Sequence, residues 1–246
     1  MKSTIVKPWD TLVDVWRSGQ IALPQVQRWS KYVHDTETNG TRSQDALQHS
    51  YSLVTLGIIF LRLMRPYLEG LDAELVLTAL HVHDHGEGEL GVDTCYIDKT
   101  EEGDLNEYLA FLKRYSRLSD AGTFDHFHRA FLLQFARKNP KSFPPFARAA
   151  MKNLRQNYPQ EMLAFEALER WDCLLFPLEQ FAERGNAKVL VQVLRNQLPH
   201  LDRLAQELKG FGIVIWTPAI RAACVDFLDA HEGEWIERPK KEGVVP

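Results

Sequence analysis

The feature that most restricts this chain is the recurrence of apolar residues at helical spacing, in segments bounded by proline or glycine. Asp10–Arg17 carries Leu12, Val13 and Trp16 in a 3.6-residue rhythm. Ser43–Met64 repeats Ala46, Leu47, Val54, Ile58, Leu61 and Leu63, with Ser43 as its N-cap and Pro66 as its stop. The same reading holds for Asp72–Val82, Leu105–Tyr115, Phe124–Arg137, Phe146–Tyr158, Gln160–Arg184, Lys188–Leu208 and Pro218–His231. Pro177 should bend the longest of these. His83–Gly103 holds Gly86, Gly88, Gly91 and Gly103, so it reads as loop or broken helix. Strand-like alternation is confined to Phe211–Trp216. The expectation is an all-α fold, one helical domain over residues 1–246, with a frayed charged tail from Glu232.

Composition narrows the class. Hydrophobic residues make up 45% and charged residues 25% of the 246, enough apolar surface to exclude a disordered chain. A net charge of −4 gives no broad attraction to a nucleic-acid backbone. It leaves room for a small anionic substrate, because one metal ion can invert the local field. Cys95, Cys173 and Cys224 are widely spaced with no CxxC, so neither a disulfide framework nor a thiolate zinc site is expected. Cys173 and Cys224 read as core residues. Met1–Trp16 has no long apolar stretch, and the longest apolar run, Leu53–Leu61, is about half of the roughly 20 residues a membrane span needs. A cytoplasmic protein with neither nucleic-acid nor membrane partners is the expectation.

The richest chemistry lies in His81-Val82-His83-Asp84-His85-Gly86-Glu87-Gly88-Glu89, at the end of an apolar helix. Adjacent His and Asp offer one imidazole nitrogen and one carboxylate oxygen to a single cation. A polar helix terminus, with His favoured by the negative end of the dipole, explains the same residues about equally well. His49 lies inside a helix that grows more apolar, and Asp172 lies in Trp171-Asp172-Cys173-Leu174-Leu175. A buried Asp there needs a partner or a metal, whereas a solvated Asp needs nothing.

In order along the chain, His49, His83–Asp84 (34 positions on) and Asp172 (88 positions further) resemble the HD-domain phosphohydrolase superfamily. Arg28-Trp29, Arg42 ahead of Gln48-His49-Ser50, His83-Asp84-His85-Gly86-Glu87 and Gly91-Val92-Asp93 narrow the resemblance to YfbR-type 5′-deoxynucleotidases. The likeness covers roughly residues 20–190, with C-terminal helices over 186–231 beyond it. It departs from the family in a longer Arg28–His49 spacing, in Trp171 where a small residue is usual, and in an expanded Phe124–Pro159 segment.

The resemblance implies a single HD-domain helical bundle. It implies that His49, His83, Asp84 and Asp172 hold one divalent ion, one of Mn, Co, Fe, Ni, Zn or Mg. Glu87 and Asp93 would be catalytic, Glu87 moving a proton and Asp93 orienting it. Arg28 would grip the phosphate, Trp29 would pack on the sugar, and Arg42 would make a second phosphate contact or a salt bridge. The expected substrate is a deoxyribonucleoside 5′-monophosphate, and the resemblance suggests a homodimer. Three other readings remain open: hydrolysis of triphosphates or another phosphoester, a di-iron oxygenase using His126 or His128, and a non-enzymatic domain that binds nucleotide or a partner helix, against which retention of all four ligands argues. His81 and His85 would stand behind the ligands or in solvent. The Phe124, Phe127, Phe131 and Phe135 stripe reads as core.

Overall fold

Helix α1 (Asp10–Arg17) runs into a π turn (Ser18–Ala22) and a 3-10 turn (Leu23–Gln25) in the computed structural model, which describes residues 10–29, 42–94, 99–121 and 123–234. Two residues, β1 (Gln27–Arg28), pair antiparallel with β2 (Gln44–Asp45), setting Gln27 opposite Asp45 and Arg28 opposite Gln44. Everything else of regular structure among the described residues is helical, and the fold is all-α, as the periodicity predicts.

The caps correct several boundaries. Helix α2 (Ala46–Met64) starts at Asp45, not Ser43. The Asp45 carboxylate accepts from Gln48 N at 2.7 Å and the Gln48 side chain returns to Asp45 N at 3.4 Å, a reciprocal capping box. The Ser43 hydroxyl instead meets the Gln27 side chain across the strand pair. Helix α3 (Ala73–Val82) is capped by Asp72. The glycine-rich stretch expected as loop or broken helix contains a short helix, α4 (His85–Leu90). Its glycines permit close packing rather than disorder. A Cβ on Gly86 would sit 2.4 Å from the Glu107 carbonyl oxygen of α5 (Glu101–Tyr115).

Helices α6 (Phe124–Ala136), α7 (Pro145–Asn157), α8 (Pro159–Arg184) and α9 (Ala187–Glu207) follow. Pro145 and Pro159 occupy first-turn positions, where a missing N–H leaves no orphan. Pro177 lies inside α8. The segment that alternates like a strand forms α10 (Phe211–Val214), because Gly210 at φ 86° turns the chain and Phe211, Ile215 and Trp216 face inward at helical intervals. Helix α11 (Pro218–Ala230) closes the described fold.

Packing joins α8 to α9, α3 to α6, α4 to α5, and α2 to both α3 and α8. One apolar cluster runs from Leu53 on α2 to Trp216. The aromatic stripe belongs to it: Phe131 and Phe135 are fully buried, and Phe131 stacks on Phe111 with centroids 4.0 Å apart. Helix α2 is long and apolar enough to cross a membrane by length and composition alone. One side of it, Leu53, Leu56, Phe60 and Met64, lies in the core, while Tyr51, Ile58, Ile59 and Leu63 are exposed. Cys173 and Cys224 are half-buried thiols. Cys95 and the tail beyond Glu234 lie outside the described residues.

Candidate metal centre

Four separate segments converge behind α4. The capping box at Asp45 fixes the first turn of α2 and so aims His49 inward. His83 ends α3 and Asp84 precedes α4, its carboxylate spared from capping that helix. Gln134 on α6 donates to the His83 carbonyl oxygen at 3.0 Å and pins this corner. His49, His83 and Asp84 are all at most 5% exposed.

The donor atoms meet closely. His49 Nε2 is 3.3 Å from His83 Nε2 and 3.6 Å from Asp84 Oδ2. His83 Nε2 is also 3.0 Å from Asp84 Oδ1 and 3.2 Å from Glu169 Oε1. His83 Nδ1 lies 2.9 Å from the Leu80 carbonyl oxygen, which can only accept. The neutral ring therefore carries its proton on Nδ1 and turns a lone pair on Nε2 toward the cluster. His49 Nδ1 faces Asp172 Oδ2 at 2.9 Å without a well-formed hydrogen bond, and a neutral ring with its proton on Nδ1 leaves a lone pair on Nε2. With His83 deprotonated, two imidazole nitrogens and two carboxylates point electron pairs at one another, an arrangement that either a proton on His83 Nε2 or a metal ion satisfies. Among the described residues, His49, His83 and Asp84 form the one group of three metal-type side chains whose donor atoms lie within 4.8 Å of one another. That spread is close to what one ion with bonds of about 2.0–2.2 Å spans. The nitrogen and oxygen donors suit a borderline divalent ion.

Charges around the cluster are strongly perturbed. Burial opposes the charged form of His83, but Asp84 and Glu169 outweigh it and push its pKa up to about 9. Burial likewise opposes ionisation of Asp84, yet His83 and Arg28 hold it well below the usual carboxylate range. Arg28 NH1 binds Asp84 Oδ2 at 3.0 Å and approaches Asp93 Oδ1 at 3.8 Å, while its buried Nε has no hydrogen-bond partner. Glu87 is 2% exposed. Burial and then Asp84 drive its pKa up to about 8, against the pull of Lys99. Its Oε1 meets Lys99 Nζ at 2.9 Å and its Oε2 has no partner. Burial also raises the Asp93 pKa, with Arg28 opposing.

A cavity of about 390 Å³ opens onto this cluster, within the range of small-molecule sites. Arg28, Trp29, Glu87, Asp93, Lys99 and Glu169 are among its walls. Trp29 adopts φ 61°, a left-handed conformation that costs about 1–3 kcal/mol in a non-glycine residue. Stacking on Phe176 at 4.9 Å and a bond from Trp29 Nε1 to Gln44 Oε1 at 3.2 Å hold it there.

The other expected residues border the cluster or lie away from it. Asp172 is buried on the far side of the His49 ring, accepts from Ser52 Oγ at 3.1 Å and lines a neighbouring cavity. Arg42 lines that second cavity too and is an ion-pair partner of Glu179 at 2.8 Å, both largely exposed. His81 is exposed, and His85 is buried with Nδ1 hydrogen-bonded to the Tyr115 hydroxyl at 2.5 Å. His126 is bonded to Thr78 and His128 to Tyr108, so neither joins the cluster. Sequence reasoning missed Glu169, Lys99 and Glu107. Glu169 stands one helical turn before Asp172 and could have been found on that spacing; Lys99 and Glu107 meet only through the fold. No protein-family model, curated protein or solved structure matches the chain.

Proposed function

We propose that this chain is a metal-dependent phosphohydrolase of the HD-domain kind, releasing phosphate from deoxyribonucleoside 5′-monophosphates. The observation that carries this reading is the convergence of donor atoms from His49, His83 and Asp84 beside a buried arginine and a buried carboxyl whose pKa is pushed up. A divalent ion in such a donor set polarises a phosphoryl group and lowers the pKa of bound water toward neutrality.

The chain's own residues supply the rest. Arg28 lines the cavity with its side chain partly exposed and only NH1 bound to Asp84, so the remainder of its guanidinium can grip a phosphate oxygen. Glu87, with a pKa near 8, holds at neutral pH a proton that Oε2 can hand to the leaving 5′ oxygen. Lys99, set between Glu87 and Glu107, keeps that carboxyl in place. Asp93 lies across Arg28 and helps aim it. Trp29, one face covered by Phe176, forms the wall for the sugar.

A second reading, hydrolysis of triphosphates or another phosphoester, is favoured by Arg137 and Lys138 on the wall of the same cavity, where further phosphates would find cations. Both are already ion-paired, to Glu166 and Asp104, so it ranks second. Phosphate release from metal-loaded protein, measured across mono- and triphosphates of ribo- and deoxyribonucleosides, separates the two. Release from deoxynucleoside monophosphates, lost in Asp84→Ala, is the expected result. Turnover of triphosphates alone moves the assignment to the second reading, and full activity in Asp84→Ala removes both.

A further inference from the structure

We propose that Glu169, rather than Asp172, supplies the carboxylate that completes the donor set around the ion, and that Asp172 acts by holding His49 in position. This rests on the metal-centre reading above. Helix α8 presents the two acids one turn apart, and they reach the histidine pair from opposite sides. Asp172 Oδ2 lies against His49 Nδ1 at 2.9 Å, and its Oδ1 takes the Ser52 hydroxyl at 3.1 Å. Both of its oxygens thereby face α2, Oδ1 through a hydrogen bond and Oδ2 through a close contact without a well-formed hydrogen bond. The two nitrogens of one imidazole point away from each other, so an ion on Nε2 lies across the ring from anything on Nδ1. His49 Nε2 is the nitrogen that faces His83 and Asp84. A carboxylate on the outer nitrogen fixes the tautomer and orientation of the ligating ring, a familiar arrangement behind metal-bound histidines.

Glu169 stands on the ligand side. Its Oε1 is 3.2 Å from His83 Nε2, buried, and without a well-formed hydrogen bond. It lines the cavity that His49, His83 and Asp84 line, whereas Asp172 does not. A buried carboxylate oxygen lacking a well-formed donor is expensive unless a cation meets it, and a metal ion that displaces the His83 proton would take over that role. Glu169 lies just outside the tight three-residue cluster, but its side chain is 29% exposed and has three rotatable bonds, so a short swing reaches the ion. For Asp172 the same movement would give up both contacts with α2. The donor set keeps two nitrogens and two carboxylates, with the second carboxylate drawn from position 169.

Cobalt(II) reports this directly, because its visible absorption bands depend on the atoms bound to it. The purified full chain is titrated with Co²⁺, following band position and intensity together with affinity, for the parent, Glu169→Gln, Glu169→Asp and Asp172→Asn. Circular dichroism checks that each variant is folded. Glu169→Gln should shift the bands and weaken binding by at least about tenfold, with Glu169→Asp in between. Asp172→Asn should weaken binding by roughly 10–100-fold while leaving the band positions unchanged. Parent-like bands in both Glu169 variants overturn the proposal, and a band shift in Asp172→Asn alone returns the ligand role to Asp172. A parent chain that takes up no Co²⁺ overturns the metal centre itself, an outcome distinct from the other two.

Discussion

His83 decides the proton balance of the cluster. With Nδ1 committed to the Leu80 carbonyl, its Nε2 either carries a proton or offers a lone pair to a metal. Burial disfavours the charged ring, yet Asp84 and Glu169 raise its pKa to about 9. A group raised in this way keeps its proton throughout the neutral range and releases it only as the pH climbs through about 9. An incoming ion must displace that proton. Affinity for a divalent ion should therefore rise about tenfold per pH unit from pH 6 and level off above pH 9. Competition titrations at several pH values, with proton release followed in weak buffer, would measure the slope; a flat profile would mean that His83 Nε2 is not a ligand. His49, His83 and Asp84 could be picked out from residue type and order alone. The carboxylate on α8 could not, because Glu169 and Asp172 share a helix face and only the side-chain directions separate the one beside His83 from the one behind His49.

Helix α4 supplies Glu87 and follows the His83–Asp84 corner, and its sequence speaks against a helix. Its sequence, His-Gly-Glu-Gly-Glu-Leu, has two glycines in six residues, and glycine weakens a helix by roughly 1 kcal/mol relative to alanine. Tertiary packing overrides that preference. Gly86 lets α4 lie against the backbone of α5, and Gly88 makes room for Leu23. The long amphipathic helices were readable because their apolar spacing repeats over several turns, as in α8 and α9. Asp45 was missed as a cap because Ser43, two residues earlier, is an equally good capping type and only the β1–β2 pairing removes it from that role. Gly86→Ala would force a methyl group to within 2.4 Å of the Glu107 carbonyl oxygen, which is backbone and cannot turn aside. It should cost about 1–3 kcal/mol of stability in denaturant unfolding. Because α4 supplies Glu87 and follows Asp84, divalent-ion affinity should fall with it. A Gly86→Ala chain with parent stability would show that α4 is not held against α5 as described.

Across the whole molecule, the centre joins residues that are remote in sequence: Arg28 on β1, His49 on α2, His83 and Asp84 at the α3–α4 corner, and Glu169 and Asp172 on α8. An unfolded chain cannot bring these together, so an ion bound here belongs to the folded state alone and must stabilise it by mass action. At a free concentration 100 times the dissociation constant that stabilisation is about 2.7 kcal/mol, equivalent to roughly 5–10 °C in a chain of this length. The metal-free fold also keeps Asp84 and Glu169 near each other with only Arg28 and a protonated His83 between them. Thermal melts with excess Mn²⁺ or Co²⁺ should therefore rise by that amount and return to the starting value on chelation. Asp84→Asn keeps the shape of the side chain and removes one donor charge, so its melting temperature should hardly respond to either treatment. An equal rise in Asp84→Asn would mean that the ions act elsewhere on the surface, since nothing at a centre lacking that carboxylate could bind them as tightly.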